Sequence, residues 1–228
     1  MNRNPPALAR RSLLLGLALA GLAACGKREE AAPEEAAAPP APTAPEATGP
    51  VVTMLGDSIT AGYGLPAADA LPAQLEAALA KAGKPARVRA AGVSGDTTAD
   101  GLARLDFSVQ DDTALCIVAL GGNDMLQGVE PTVVKTNLEQ IVRRLKARKL
   151  PVLLVGMRAP PQYGRYAAEF DALFGQIAEA EKVDLYPFLL DGVALDERYN
   201  QADNIHPNPA GVKLIAAKLA PVVARKLG

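Results

Sequence analysis

The chain has 228 residues, with 24 Lys plus Arg against 25 Asp plus Glu; a formal charge of −1 and the lack of a basic stripe remove the electrostatic case for a nucleic-acid partner. Hydrophobic residues make up 49%, enough for a full core, and two cysteines are too few for a disulfide framework.

The first elements do not belong to a fold. Arg3, Arg10 and Arg11 precede the apolar run Leu13 to Leu22, which is shorter than the roughly 20 residues of a permanent membrane span. Residues 1–24 read as a secretory signal. Leu22-Ala23-Ala24-Cys25 resembles the lipobox of bacterial lipoproteins, in which the cysteine is acylated and becomes the new N-terminus. Ordinary cleavage beside a chance cysteine is the alternative, and Arg10-Arg11 leaves general against twin-arginine export open. Residues 25–50 then hold Cys25 and a run of Ala, Pro and Glu that cannot bury enough apolar surface to order itself. It reads as a tether to a bacterial membrane on its periplasmic side; Gly26 favours the outer membrane.

Residues 51–228 form one domain of about 180 residues, sufficient for a complete core. Strand-like runs are Val51–Leu55, Arg87–Ala91, Leu115–Leu120, Val152–Gly156 and Val183–Tyr186, brief and bounded by Gly or Pro. The third and fourth are apolar nearly throughout, as strands covered on both faces are. Cys116, inside the third, reads as a buried and unreactive thiol. Helical spacing relates Val134, Leu138, Ile141, Val142 and Leu145, and again Val212, Ile215, Ala216, Leu219 and Val223, with Asn208 as N-cap and Pro209 at the first helical position. Five βα alternations predict an α/β fold, a five-stranded parallel sheet inside a three-layer sandwich. The Asp111-Asp112 and Arg143-Arg144 pairs read as solvated faces.

Ligands of such sheets bind beyond the carboxyl ends of the strands. Gly56-Asp57-Ser58, Ser94-Gly95-Asp96 and Gly121-Gly122-Asn123-Asp124 follow the first three strands, and Asp203-Asn204-Ile205-His206-Pro207 precedes the last helix. His206 is the only histidine in the chain and so the only imidazole base available. Asp203, three residues earlier, is expected to share one side of a helical turn with it and to orient the ring. Ser58 is the best nucleophile, with a helix N-cap as its other reading. The second glycine of a lipase-type elbow is absent after it. Gly95 and Asn123, with the Ser58 N–H, are placed to donate to an oxyanion.

These blocks, in this order, resemble those of the GDSL esterases, or SGNH hydrolases, from Val51 nearly to the C-terminus. Gly56 to Tyr63, Ser94 to Thr98 and Pro161-Gln162-Tyr163-Gly164 are similar to the periplasmic thioesterase/lysophospholipase and arylesterase subgroup. The resemblance implies a flavodoxin-like SGNH-hydrolase fold, Ser58 as nucleophile, Asp203 and His206 as the rest of a triad, and Ser58, Gly95 and Asn123 as the oxyanion hole. It also implies a mobile loop from Met157 to Tyr166 beside an acyl pocket, with Tyr63, Leu65, Pro160, Pro161 and Tyr163 as substrate-binding residues. Relatives often carry Asn in place of Ala90, a departure expected to alter packing. Gly62, Gly64, Leu65 and the Pro160-Pro161 loop suggest an open groove that accepts aryl esters, acyl thioesters and lysophospholipids.

No cofactor and no metal is expected: Asp57 and Asp124, without a second histidine, are better suited to fixing the turns around Ser58 and Asn123. A monomer acting on a small ester or thioester is the expectation. The rivals are a carbohydrate O-deacetylase and a lipoprotein that binds a ligand without catalysis.

Overall fold

The computed structural model describes residues 49–228. The expected signal segment, Cys25 with its expected lipidation, and all but the last two residues of the expected tether lie outside the described residues.

Five strands, β1 (Val51–Gly56), β2 (Arg87–Gly92), β3 (Thr113–Ala119), β4 (Val152–Val155) and β5 (Asp184–Tyr186), pair in parallel in the order β2-β1-β3-β4-β5. This is the flavodoxin-like order, in which the chain reverses direction across the sheet between β1 and β3. Five strands in register end level, because Gly56 pairs with Gly92 and with Ala119, Val118 with Leu154, and Val155 with Tyr186. The segments that follow therefore leave the sheet along one edge.

The helices are α1 (Ser58–Ala61), α2 (Leu71–Lys81), α3 (Thr98–Ala103), α4 (Leu105–Ser108), α5 (Gly122–Gln127), α6 (Pro131–Ala147), α7 (Arg165–Glu181) and α8 (Pro209–Lys226). α2 packs against α8, while α6 packs against α3 and α7. The periodic residues of α6 and α8 face the core as their spacing predicts: Val134, Leu138, Ile141, Ile215 and Leu219 are fully buried. Truncating any one to Ala typically costs about 2–5 kcal/mol. Asn208 caps α8, its side chain accepting the N–H groups of Ala210 and Gly211. α7, whose apolar positions Phe170, Leu173, Phe174 and Ile177 are buried, is an element the strand-and-helix reading did not single out.

One expectation is corrected. Ala90 is exposed on the edge strand β2, so its departure from the family pattern demands no repacking. Arg143 and Arg144 are exposed, as expected of a solvated face, and Arg143 Nε also donates to Glu181 Oε1 at 2.6 Å, tying α6 to α7. Cys116 is fully buried, and burial pushes its thiol up to about 12.

Candidate active site

Ser58 opens α1, but Asp57 caps that helix, accepting the Ile59 N–H on Oδ1 at 3.0 Å. The Ser58 hydroxyl is thereby spared for another partner. His206 Nε2 lies 2.9 Å from Ser58 Oγ, and Asp203 Oδ2 lies 2.6 Å from His206 Nδ1. With the carboxylate accepting from Nδ1–H, Nε2 is the lone-pair nitrogen facing the hydroxyl.

The segment around His206 is not the helical turn its spacing suggests. Asn204 sits in the left-handed region at φ 57°, and Asp203 Oδ1 accepts the N–H groups of Ile205 and His206 at 2.9 and 3.0 Å. A short side chain that bonds to the backbone two and three residues on makes a tight turn instead. The imidazole first, then these two N–H groups, hold the Asp203 carboxyl down at about 2. Below the turn, Gln201 N–H donates to the His206 carbonyl and Asn208 N–H to the Tyr199 carbonyl, both at 2.8 Å, so the turn is closed off at the start of α8.

Gly95 lies in a four-residue turn closed by Asp96 N–H donating to the Val93 carbonyl at 3.2 Å. It takes φ 90°, which a side chain would resist at this position. Asn123 Nδ2 donates one hydrogen to the Asp96 carbonyl at 2.8 Å, leaving the second available. The Ser58 N–H belongs to the first turn of α1, whose N–H groups have no partner within the helix.

Asp57 and Asp124 serve the scaffold in different ways. Burial pushes the Asp57 carboxyl up to about 6, against the Ile59 N–H and His206, which pull it down. Asp124 does not fix the turn at Asn123; it reaches α3, accepting Thr98 N–H at 2.8 Å and Thr98 Oγ–H at 2.6 Å. Among the described residues no group of three or more His, Cys, Asp or Glu side chains is arranged to hold a metal.

A cavity of about 470 Å³ opens beside Ser58 and His206. Ser58, Asn123, His206, Pro160 and Pro161 are in its wall; Gly95, Tyr63, Leu65 and Tyr163 are not. Of the residues expected to shape an open groove, Pro160 and Pro161 line the cavity, whereas Gly62, Gly64 and Leu65 do not. Gly62 and Gly64 take φ 76° and 73° in the turns after α1, and a Cβ on Gly64 would meet the Gln201 side chain. Tyr63 instead places its ring 4.6 Å from the His206 ring, and Leu65 packs on the core. Tyr163 turns its ring to Tyr166.

The wall is mostly apolar; of its main surfaces, Met157 begins the loop expected beside an acyl pocket, whereas Met125, Leu126, Phe188, Leu190 and Leu195 were not singled out in the sequence. Their signal was available. They follow β3 and β5 at the carboxyl edge, and Leu126 and Leu195 are exposed where polar loop residues are usual. A second cavity, of about 230 Å³, lies at the opposite edge beside Lys146, Lys182 and Lys226 and contains no nucleophile–base pair.

A model of the GDSL-like Lipase/Acylhydrolase family matches residues 54–214. The chain is 42% identical over 156 residues to "Esterase TesA" of Pseudomonas aeruginosa, covering 68% of this chain and 78% of that protein. It is 38% identical over 169 residues to "Thioesterase 1/protease 1/lysophospholipase L1" of Escherichia coli, covering 73% and 80%. Among solved structures it is similar to AlinE4, described as an SGNH-hydrolase family esterase, with TM-score 0.66, 44% identity and coverage of 79% and 98%.

Proposed function

The chain belongs to the GDSL-like lipase/acylhydrolase family and is an ester-hydrolysing serine hydrolase, and on that footing we propose that Ser58 is its nucleophile, His206 its base and Asp203 the group that orients the base. The observation that carries this reading is the 2.9 Å approach of His206 Nε2 to Ser58 Oγ, with the other ring nitrogen held by a carboxylate.

Ser58 Oγ attacks the substrate carbonyl as its proton passes to His206 Nε2. Charge gathers on the carbonyl oxygen, where the N–H groups of Ser58 and Gly95 and the amide of Asn123 donate to it. Collapse expels the alcohol or thiol, which takes the proton from Nε2 and leaves an acyl group on Ser58. Water, deprotonated by the same nitrogen, attacks the acyl-enzyme; the Ser58 Oγ–acyl bond breaks, Oγ takes the proton back from Nε2, and the acid is released. Asp203 stays ionised throughout and stabilises the imidazolium.

The substrates of this reading are aryl esters, acyl thioesters and lysophospholipids, in line with what the similar proteins are named for. A mostly apolar wall is suited to an acyl chain and offers little to a sugar, which favours this class over glycan deacetylation. The enzyme acts as a monomer, held by lipidated Cys25 on the periplasmic side of a bacterial membrane.

Ser58→Ala is expected to abolish both turnover of p-nitrophenyl butyrate and fluorophosphonate labelling while the circular dichroism spectrum stays unchanged. Wild-type turnover by the variant would move the nucleophile elsewhere. A series of p-nitrophenyl esters from acetyl to dodecanoyl, run beside an acetylated glycan, tests the substrate class. Activity confined to acetyl groups would favour the deacetylase. Palmitate labelling that survives Cys25→Ala would remove the anchor.

A further inference from the structure

Arg104, just past α3, is absent from the constellation read in the sequence, yet its guanidinium spans the catalytic edge. Nε donates to Asp96 Oδ2 at 2.5 Å, Nη2 to the Gly56 carbonyl at 2.9 Å and Nη1 to Ser108 Oγ at 2.8 Å. The ion pair is sheltered, with side-chain exposures of 20% for Arg104 and 12% for Asp96. Gly56 ends β1, two residues before Ser58. Its carbonyl also accepts the Val93 N–H at 3.1 Å, and Val93 begins the turn that carries Gly95. Asp96 ends that turn and offers its own carbonyl to Asn123. One planar cation therefore joins the strand that delivers the nucleophile to the turn and side chain that supply the donors.

We propose that Arg104 is a positioning residue for the oxyanion hole, clamping Asp96 to the Gly56 carbonyl and so setting the Gly95 N–H and the Asn123 amide relative to Ser58. The inference rests on the roles given to those three residues above. Donors stabilise a developing charge only when held about 2.7–3.1 Å from where it appears. A turn tied to β1 through Val93 alone has a hinge at that tie. A second tie at its far end, through Asp96, removes the hinge. Three acceptors in three directions suit the fixed fork of an arginine; a lysine ammonium is a single point charge that cannot span them.

The test uses the full chain with p-nitrophenyl butyrate and an alkyl trifluoromethyl ketone, which adds to a serine as a tetrahedral oxyanion. Loss of a donor outright costs about 10²–10³ in rate, so displacing donors by Arg104→Ala is expected to lower kcat about 10–100-fold. KM should stay within about twofold, since ground-state binding does not use the hole. Affinity for the ketone should fall by the same factor as kcat/KM. Arg104→Lys should recover part of the loss. Asp96→Ala should match Arg104→Ala, with the double variant no slower than either, because both act through one clamp.

A kcat within about threefold of wild type in the Ala and Lys variants, with only the melting temperature lowered, overturns the proposal. So do multiplicative losses in the double variant. If Arg104→Ala does not fold, Arg104→Lys, which keeps the charge beside Asp96, decides by the same ratios. Fluorophosphonate labelling separates this failure from that of the nucleophile. Loss of label in Ser58→Ala together with normal kcat in the Arg104 variants sinks the clamp and spares Ser58.

Discussion

Ser58 leaves the sheet on a segment without slack. A Cβ on Gly92 would lie 2.4 Å from the Ala61 N and 2.8 Å from the Asp57 carbonyl oxygen, so α1 rests directly on the end of β2. Asp57, Ile59 and Thr60 around the serine are all buried. His206 is carried differently. Asn204 and Ile205 beside it are exposed, the Asp203 side chain is 37% exposed, and the turn keeps its shape through Asp203's bonds to two N–H groups. Close packing holds one partner of the pair and polar contacts hold the other. The first should resent added volume and the second the loss of an acceptor, and each failure should leave a different trace in stability.

The sharpest contrast comes from His206→Ala, which is expected to lower kcat by at least about 10³-fold while lowering the melting temperature by only a few degrees, because the ring, though its side chain is only 18% exposed, is held by hydrogen bonds to Asp203 and Ser58 rather than inside the apolar core. An ester-hydrolysis assay beside a thermal melt checks both halves. A large fall in stability would mean that the base side, too, is held by burial.

Gly92→Ala should break the packed side, lowering activity and stability together. Overpacking costs about 1–3 kcal/mol, which for a domain of this size is a fall of about 2–10 °C in melting temperature, and the displaced α1 should reduce kcat about tenfold or more. A variant that melts lower yet keeps full kcat would uncouple α1 from Ser58.

Asp203→Asn keeps an oxygen for the turn but removes the charge facing Nδ1, so kcat should fall about 10–100-fold and the variant should melt below wild type at pH 7. The wild-type carboxyl, held down at about 2 by the imidazole and two N–H groups, contributes a stabilisation that is fully present above its ordinary value of 3.8. That contribution is lost as pH falls through about 2. Stability curves of variant and wild type should therefore converge in that window.

The smallest effect has the opposite sign. Burial raises Asp57 from 3.8 to about 6, so the folded protein binds a proton more readily than the unfolded chain and stability falls as pH rises from about 4 to 6. Asp57→Asn, which can still accept from Ile59 N–H, is expected to melt a few degrees higher than wild type at pH 8. The advantage should vanish by pH 4; a gap that persists there would locate its cause outside this carboxyl.

Much of this was legible in the chain itself. Branched apolar runs alternating with helical patterns dictate a covered parallel sheet, and that architecture sends Gly56–Ser58, Ser94–Asp96 and Gly121–Asp124 to one edge. A lone histidine near the last helix left one choice of imidazole. Such statements depend on local preference, on counting and on a topology with few alternatives. What only the tertiary structure decided is where side chains point once loops have closed. Tyr63 turns to His206 rather than to the cavity, Asp57 takes the cap and frees Ser58, and Arg104 reaches the Gly56 carbonyl across 48 residues of sequence. Those outcomes are set by pairs of residues distant in the chain and by loop dihedrals without periodicity. No pattern along the sequence encodes them one residue at a time.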